Sequence, residues 1–268
     1  MLQTATFWLR VAACLYAVGL LHSILVLLHH KQSVFRAALT AFRVAVVLHA
    51  VAIVDLYLAL GRIPVATYFQ TLSLCALLIA LVFLLVEWRY RFSSTSVVLF
   101  PLVFMMTLVA STERPGPDEA MRGFWLIVHI LLVLAGYAAL LLTAVASVAY
   151  LIQERRLKSK QASFLLERLP PLGTLDNLIG GSLGLGFAFI TLGLVFGILW
   201  AYLEGTRWLG DARITLSLFT WALLLVMMLL RASAGWRGRK AAVLALSVLG
   251  CSAATWVAHA GLGARLIP

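Results

Sequence analysis

The chain has 268 residues, of which 63% are hydrophobic and 12% are charged, and its mean hydropathy is +1.03. This composition excludes an ordinary soluble globular protein and is typical of a polytopic membrane protein. The formal net charge of +11 is spread over several connections between apolar runs, so it does not indicate nucleic-acid binding. The three cysteines stand alone within apolar runs, which excludes a C-x-x-C redox pair and a C-x-x-C-H heme attachment site.

Apolar runs of about 20 residues, each long enough to cross a lipid bilayer, recur along the chain. Lipid offers the backbone no hydrogen-bond partners and the runs do not alternate with a period of two, so we expect helices. The predicted spans are approximately Phe7–Leu28, Leu39–Leu60, Tyr68–Val86, Val97–Ala110, Phe124–Ile152, Leu183–Tyr202, Ile214–Leu230 and Ala242–Leu262. The fourth is short and contains Pro101, and the longest connection is predicted at Gln153–Asn177. We therefore predict an all-α, polytopic membrane helix bundle of about eight transmembrane helices, forming a single domain over residues 1–268.

The basic residues predict the orientation of this bundle. With eight spans, 14 of the 21 Lys and Arg residues fall in the odd-numbered connections and their flanks, and the other seven lie in the even connections and near the termini. The positive-inside rule then places both termini outside and the Gln153–Asn177 connection in the cytoplasm. Tryptophans near the predicted boundaries, Trp125 and Trp200 among them, fit an aromatic belt at the membrane interfaces.

Two histidines at membrane depth are the first candidates for a functional site. His129 lies in the fifth apolar run and His49 in the second. Placing an ionisable side chain at this depth costs roughly 2–3 kcal/mol of free energy, so we treat each of these histidines as a candidate functional residue. Heme iron is the metal that a membrane imidazole most often binds. The alternative for either residue is a polar side chain that hydrogen-bonds to a neighbouring helix.

The depths of the histidines suggest which of them could share one iron. With a rise of about 1.5 Å per residue, His129 lies about 9 Å and His259 about 6 Å from the outer ends of their spans. His49 lies about 17 Å below the outer end of its span, which a tilted helix would have to absorb. Both pairings of His129 stay open at this stage. His22 is interpreted as a hydrogen-bonded core residue.

Several segments, in order, resemble the inner-membrane cytochrome c assembly family of heme-handling proteins. They are WLIVHILLVLAGYAALLLTAVASVAYLIQERRLKSK, RLPPLGTLD, GFAFITLGLVFGILWA, DARITLSLFTWALLLVMMLLR and GWRGRKAA. Together they cover about Trp125 to Ala242, and a weaker match, VVLHAVAIVDLYLALGRI followed by FQTLSL, extends the resemblance toward the N-terminus. In the synthases of this family, the histidine at the position of His129 is an external heme ligand. Because the segment around His49 resembles the family better, we favour His49 over His259 as its partner.

The synthases also carry a tryptophan-rich loop, W-G-x-x-W-x-W-D, that presents heme to apocytochrome. Gly205, Trp208 and Asp211 match this motif, whereas Glu204 and Gly210 stand at two of its tryptophan positions. Two further histidines of the synthases are also missing from the corresponding positions. The resemblance therefore implies a smaller branch with a degenerate loop, similar to the YpjD-type and HemX proteins, and it disfavours heme ligation as an enzymatic activity.

The function implied by the resemblance is binding or handling of heme b in a bacterial inner membrane, in support of cytochrome c or other heme-protein assembly. The expected partners are the lipid bilayer and apocytochrome c or other cytochrome assembly proteins. The predicted cofactor-binding residues are His129, His49, His259, Trp208 and Asp211, and His129 and His49 are the predicted ligands of the heme iron. The alternative function is a non-heme membrane scaffold or transporter-accessory protein that keeps the fold.

Overall fold

A computed structural model describes residues 2–29, 35–90, 95–113, 123–159, 171–204 and 212–251. Over these residues the regular secondary structure is helical, which confirms the predicted all-α bundle. The helices are α1 (Leu2–His29), α2 (Phe35–Leu60), α3 (Tyr68–Tyr90), α4 (Ser96–Ala110), α5 (Phe124–Lys158), α6 (Leu172–Leu203) and α7 (Ala212–Ser233). An eighth helix, α8, is described over residues 239–251.

Each of the first seven predicted spans lies inside an observed helix. Six of those described, α1 to α3 and α5 to α7, are long and apolar enough to cross a membrane. Helix α4 has 15 residues with Pro101 inside it, so the prediction of a short fourth span is confirmed.

The predicted connection Gln153–Asn177 is wrong in extent. Helix α5 continues to Lys158, and α6 begins at Leu172 directly after Pro171. Hydropathy marks only the apolar part of a helix, whereas the polar residues after Gln153 are good helix formers and extend it. Proline is well tolerated at the start of a helix, because no intrahelical hydrogen bond is needed there. Residues 160–170 of the predicted connection lie outside the described residues.

The chain divides into two compact units, which we call unit 1 (residues 1–122 and 162–169) and unit 2 (residues 123–161 and 170–268). Unit 1 contains α1 to α4, and α1 packs on both α2 and α4 while α3 packs on α4 and α2. Its core is aromatic. Tyr16, Phe42, Phe83 and Phe100 are fully buried, and the rings of Phe42 and Phe100 stack with centroids 4.5 Å apart.

Unit 2 contains α5 to α8. All four helices contribute to one buried cluster, formed by Leu140, Leu183, Leu224, Met227, Ala245 and Val248. At one end of the unit, the Asp176 carboxylate accepts hydrogen bonds from the Arg231 guanidinium at 3.0 and 3.2 Å. The same carboxylate accepts from the backbone N–H of Gly238 at 2.9 Å. This ion pair therefore connects the start of α6 with the end of α7 and the turn before α8.

Candidate functional site

His129 lies five residues after the start of α5 and is partly buried in unit 2. Its Nδ1 atom is 2.6 Å from the backbone carbonyl oxygen of Gly193 on α6. A carbonyl can only accept, so Nδ1 carries the proton and donates it. In the neutral imidazole the lone pair then lies on Nε2, the atom that would bind a metal. Metal-binding histidines usually have their other ring nitrogen fixed by such a hydrogen bond.

The His129 ring lies directly against the backbone of α6, at two glycines one turn apart. A Cβ atom at Gly197 would lie 2.6 Å from Nδ1 and 2.8 Å from Cε1 of the ring. A Cβ atom at Gly193 would lie 2.8 Å from a methyl group of Val133. Any larger residue at Gly197 would therefore displace the imidazole. The position of the ring is fixed by two helix backbones in close approach.

Aromatic side chains surround this end of the α5–α6 pair. Trp125, one turn before His129 on α5, stacks on Phe196 of α6 with ring centroids 5.5 Å apart and 13° between the planes. Trp200 lies on the same face of α6 as Gly193 and Gly197, by its spacing of seven and three residues. Aromatic surfaces of this kind suit a flat apolar ligand.

The indole nitrogen of Trp200 is a buried donor. Within the described part of the chain, Nε1 has no hydrogen-bond partner. It lies 3.3 Å from the position that a Cβ atom would take at Gly123, the residue before α5. Gly123 has a φ angle of +127°, which L side chains rarely adopt. Glycine at this position therefore permits both the backbone conformation and the close approach of the indole.

His49 has different surroundings, in the core of unit 1. It is fully buried on α2, and its Nε2 atom is 2.9 Å from Ser73 Oγ on α3. Its Nδ1 atom is 3.5 Å from the hydroxyl of Tyr16 on α1. Both ring nitrogens thus face hydroxyl groups of neighbouring helices, which is the hydrogen-bonded arrangement that the sequence left open as an alternative.

A cavity of about 770 Å³ adjoins Ser73 inside unit 1, among the first turns of α1 and α3 and the last turns of α2 and α4. Its volume is in the range of small-molecule pockets. Arg10 and Glu113 contribute charged groups to the lining, and Glu113 Oε1 accepts hydrogen bonds from Thr67 at 2.6 Å and Gln70 at 3.3 Å. Ser73 is among the residues that line the cavity, whereas His49 is not.

The remaining predicted site residues, Trp208, Asp211 and His259, lie outside the described residues. His49 belongs to unit 1 and His129 to unit 2. Over the described residues, no group of three or more His, Cys, Asp or Glu side chains could hold a bare metal ion. Heme brings four of its own nitrogen ligands and needs only one or two from the protein, so single histidines fit it.

Sequence reasoning missed the residues that surround His129. Trp125 and Trp200 were assigned to an aromatic belt, and the glycines of α6 were not connected with the histidine. A signal was present, because Trp125 and His129 are four residues apart on one helix and Gly193 and Gly197 are four apart on another. The sequence does not show that the His129 face of α5 packs against the Gly193–Gly197 face of α6.

The fold and this site define a multi-pass membrane protein with an imidazole fixed near one end of a helical hairpin. A family model described as "Cytochrome C assembly protein" matches residues 8–253, which is most of the chain. The chain therefore belongs to the cytochrome c assembly protein family.

Relatives of this chain carry the name "Cytochrome c biogenesis protein CcsA". The protein of Microcystis aeruginosa is 26% identical over 258 residues, which cover 77% of this chain and 78% of the relative. That of Chlorella vulgaris is 28% identical over 223 residues, covering 69% and 70%. That of Prochlorococcus marinus strain MIT 9301 is 28% identical over 212 residues, covering 69% of each chain. These alignments extend over more than two thirds of both partners.

Proposed function

We propose that this protein binds heme through His129 and handles it during the assembly of cytochrome c or another heme protein. One observation carries the proposal: the 2.6 Å hydrogen bond from His129 Nδ1 to the Gly193 carbonyl, which leaves the lone pair on Nε2. If heme is bound, His129 would hold its iron through Nε2, and the iron would supply redox chemistry and a site for a further ligand. Membership of the cytochrome c assembly family supports heme as the ligand.

The residues around His129 have separate roles in this proposal. Gly193 orients the imidazole, and Gly197 leaves room for it. Trp125 and Phe196 offer an aromatic surface near the ring, and the indole N–H of Trp200 is suited to donate to a carboxylate or carbonyl group of the ligand. No C-x-x-C-H attachment motif is present in the sequence, so we propose heme b, held without a covalent bond.

A second protein ligand to the heme iron remains a prediction, and the candidates are His49 and His259. For His49, ligation requires that Nε2 exchange its hydrogen bond with Ser73 for the iron. We also keep Trp208 and Asp211 as proposed binding residues, on the strength of their match to the heme-presenting loop of the synthases.

We propose that the protein works in a bacterial inner membrane as one family domain over residues 1–268, with apocytochrome c or other assembly proteins as its partners. The family match, which includes residues of both units, supports a single functional domain. The names of the relatives support a role in cytochrome c biogenesis. The uneven distribution of Lys and Arg supports an orientation with both termini outside, and with the His129 end of α5 toward that side.

Purification in detergent tests the proposal directly. The wild-type protein should show a Soret band, and its extracted heme should be heme b at a constant ratio to protein. Adding hemin to the membranes before extraction should fill the sites that remain. A colourless, iron-free preparation that stays colourless after hemin addition would overturn heme binding and would favour a non-heme scaffold that keeps the fold.

A further inference from the structure

We propose a second binding site in unit 2, between the ends of α5 and α8, that holds the phosphate headgroup of a dianionic membrane phospholipid. The structure has a cavity of about 420 Å³ at this position. Its lining residues are Leu151, Glu154, Arg155, Lys158, Arg239 and Val243. Arg155 follows His129 by 26 residues on the same helix, or about 39 Å, so this site is distinct from the proposed heme site.

Among the described residues, two of the cations that line the cavity have no counter-ion. Lys158 Nζ lies 2.7 Å from Glu154 Oε1, so the one carboxylate in the lining is already paired. The guanidinium groups of Arg155 and Arg239 make no hydrogen bond or ion pair with any described residue. Planar guanidinium groups bind phosphate oxygens with two parallel hydrogen bonds. A ligand with two phosphate charges would neutralise the pair.

The cavity also has its cations at one end and its aliphatic side chains at the other, as a lipid has a charged headgroup and apolar chains. Leu151 lies one helical turn before Arg155 on α5, and Val243 lies one turn after Arg239 on α8. Because α5 ends and α8 begins at this end of unit 2, both aliphatic residues lie about 6 Å further along the helices, away from the cations. Each helix thus offers a cation for a headgroup and an apolar surface for the first part of an acyl chain.

This layering selects a lipid over a soluble phosphate. Pyrophosphate could match the two charges, but it has nothing to place against Leu151 and Val243. Basic pockets between transmembrane helices are known to bind phospholipids with two phosphates, and charged residues near a membrane surface contribute attraction toward anionic headgroups. The occupant we propose is therefore a diphosphatidylglycerol-type lipid from the membrane leaflet at this end of α5.

A competition experiment on the wild-type protein tests the ligand. Detergent-purified protein is titrated with diphosphatidylglycerol, phosphatidylglycerol or phosphatidylcholine, and bound lipid is counted by native mass spectrometry. We expect diphosphatidylglycerol to bind about tenfold more tightly than phosphatidylglycerol. We also expect a hundredfold molar excess of pyrophosphate to leave it bound. Equal binding of the three lipids, or displacement by pyrophosphate at that excess, would overturn the proposal.

Charge-matched variants test the position of the site. Arg155→Gln combined with Arg239→Gln should weaken diphosphatidylglycerol binding about tenfold or more. The control combines Arg36→Gln with Arg237→Gln, two exposed cations that are predicted on the same membrane side and do not line the cavity. Elution as a single symmetrical peak in size-exclusion chromatography serves as the folding check, because it does not depend on whether heme is bound. Equal loss of lipid in both double variants would show a diffuse surface charge effect and would contradict a built site.

Discussion

His129 and His49 are both membrane histidines, but their surroundings differ in kind. His129 has a backbone carbonyl at Nδ1 and lies partly exposed among aromatic side chains near one end of unit 2. His49 is fully buried in unit 1, with a hydroxyl group at each ring nitrogen. A carbonyl fixes one tautomer, whereas a hydroxyl can donate or accept and so fixes none.

This difference shows that predicted depth in the membrane is not enough to identify a histidine that binds heme iron. A buried imidazole is stable without a metal when its nitrogens have partners on neighbouring helices, as at His49. His129 donates its Nδ1–H to the backbone carbonyl of Gly193, and a Cβ atom at Gly197 would clash with its ring. We therefore assign the ligand role to His129 first and treat His49 as a residue whose role must be separated by experiment.

The largest expected effect concerns orientation, because a topology reporter is either active or silent. A reporter that is active only outside the cytoplasm should be active when fused after Pro268 and silent when fused after Ser159, at the end of α5. This result would place His129 toward the outer side, near the start of the same helix. The reverse pattern would contradict the charge-based orientation and the depths assigned to both histidines.

The next largest effect is expected at Gly197. Gly197→Ala places a Cβ atom within 2.6 Å of His129 Nδ1, so the ring must turn away from the Gly193 carbonyl. We expect a loss of heme affinity of about tenfold or more, as for other residues that orient metal-binding histidines. Gly184→Ala on the same helix is the control, since its Cβ atom would meet no atom within 4 Å. Equal heme content in the two variants would contradict a role for the close contact between His129 and the α6 backbone in heme binding.

A smaller effect is expected at Ser73, which separates the two roles of His49. Ser73→Ala removes the group 2.9 Å from His49 Nε2 and should lower the free energy of unfolding by about 1–3 kcal/mol, measured by denaturant titration in detergent. If His49 is also a ligand of the heme iron, the same variant should bind heme more tightly, because Nε2 no longer has to give up its hydrogen bond to Ser73. Unchanged heme affinity would indicate a structural role alone. Unchanged stability would contradict a structural hydrogen bond at Nε2.

The smallest effect is expected at Tyr16. Its hydroxyl is 3.5 Å from His49 Nδ1, at the outer limit of a hydrogen bond. Tyr16→Phe should therefore cost less than about 1 kcal/mol in the same titration, below the cost of Ser73→Ala. A larger loss than at Ser73 would mean that Nδ1, and not Nε2, makes the main hydrogen bond of His49.

Most of the helices were predictable because a membrane helix is recognised from a local property of the sequence, its apolar run. The end of α5 and the start of α6 could not be predicted from hydropathy, because the residues there are helical but not continuously apolar. The position of His129 near the start of a long apolar helix was also predictable from its place in the run. Its acceptor was not, because Gly193 is 64 residues away and hydropathy does not report which helix faces which.

The same limit applies to His49. Its partners, Tyr16 and Ser73, are 33 and 24 residues away on two different helices. A serine and a tyrosine within apolar runs are common, and nothing in their local sequence distinguishes them from other polar residues of the spans. Hydrogen bonds between helices depend on packing, so the two histidines looked alike in sequence although their surroundings differ.

Heme occupancy of His129→Ala, and its rescue by imidazole, test most directly whether His129 binds the heme iron. His22→Ala is the matched control. His22 is another buried membrane histidine, packed beside Phe35 and Phe100 in unit 1. We expect His129→Ala to lose most of its heme and to recover it, with a low-spin spectrum, when imidazole is added to the membranes, while His22→Ala keeps wild-type content. Wild-type heme content and spectrum in His129→Ala, at an unchanged protein level, would contradict His129 as the axial ligand.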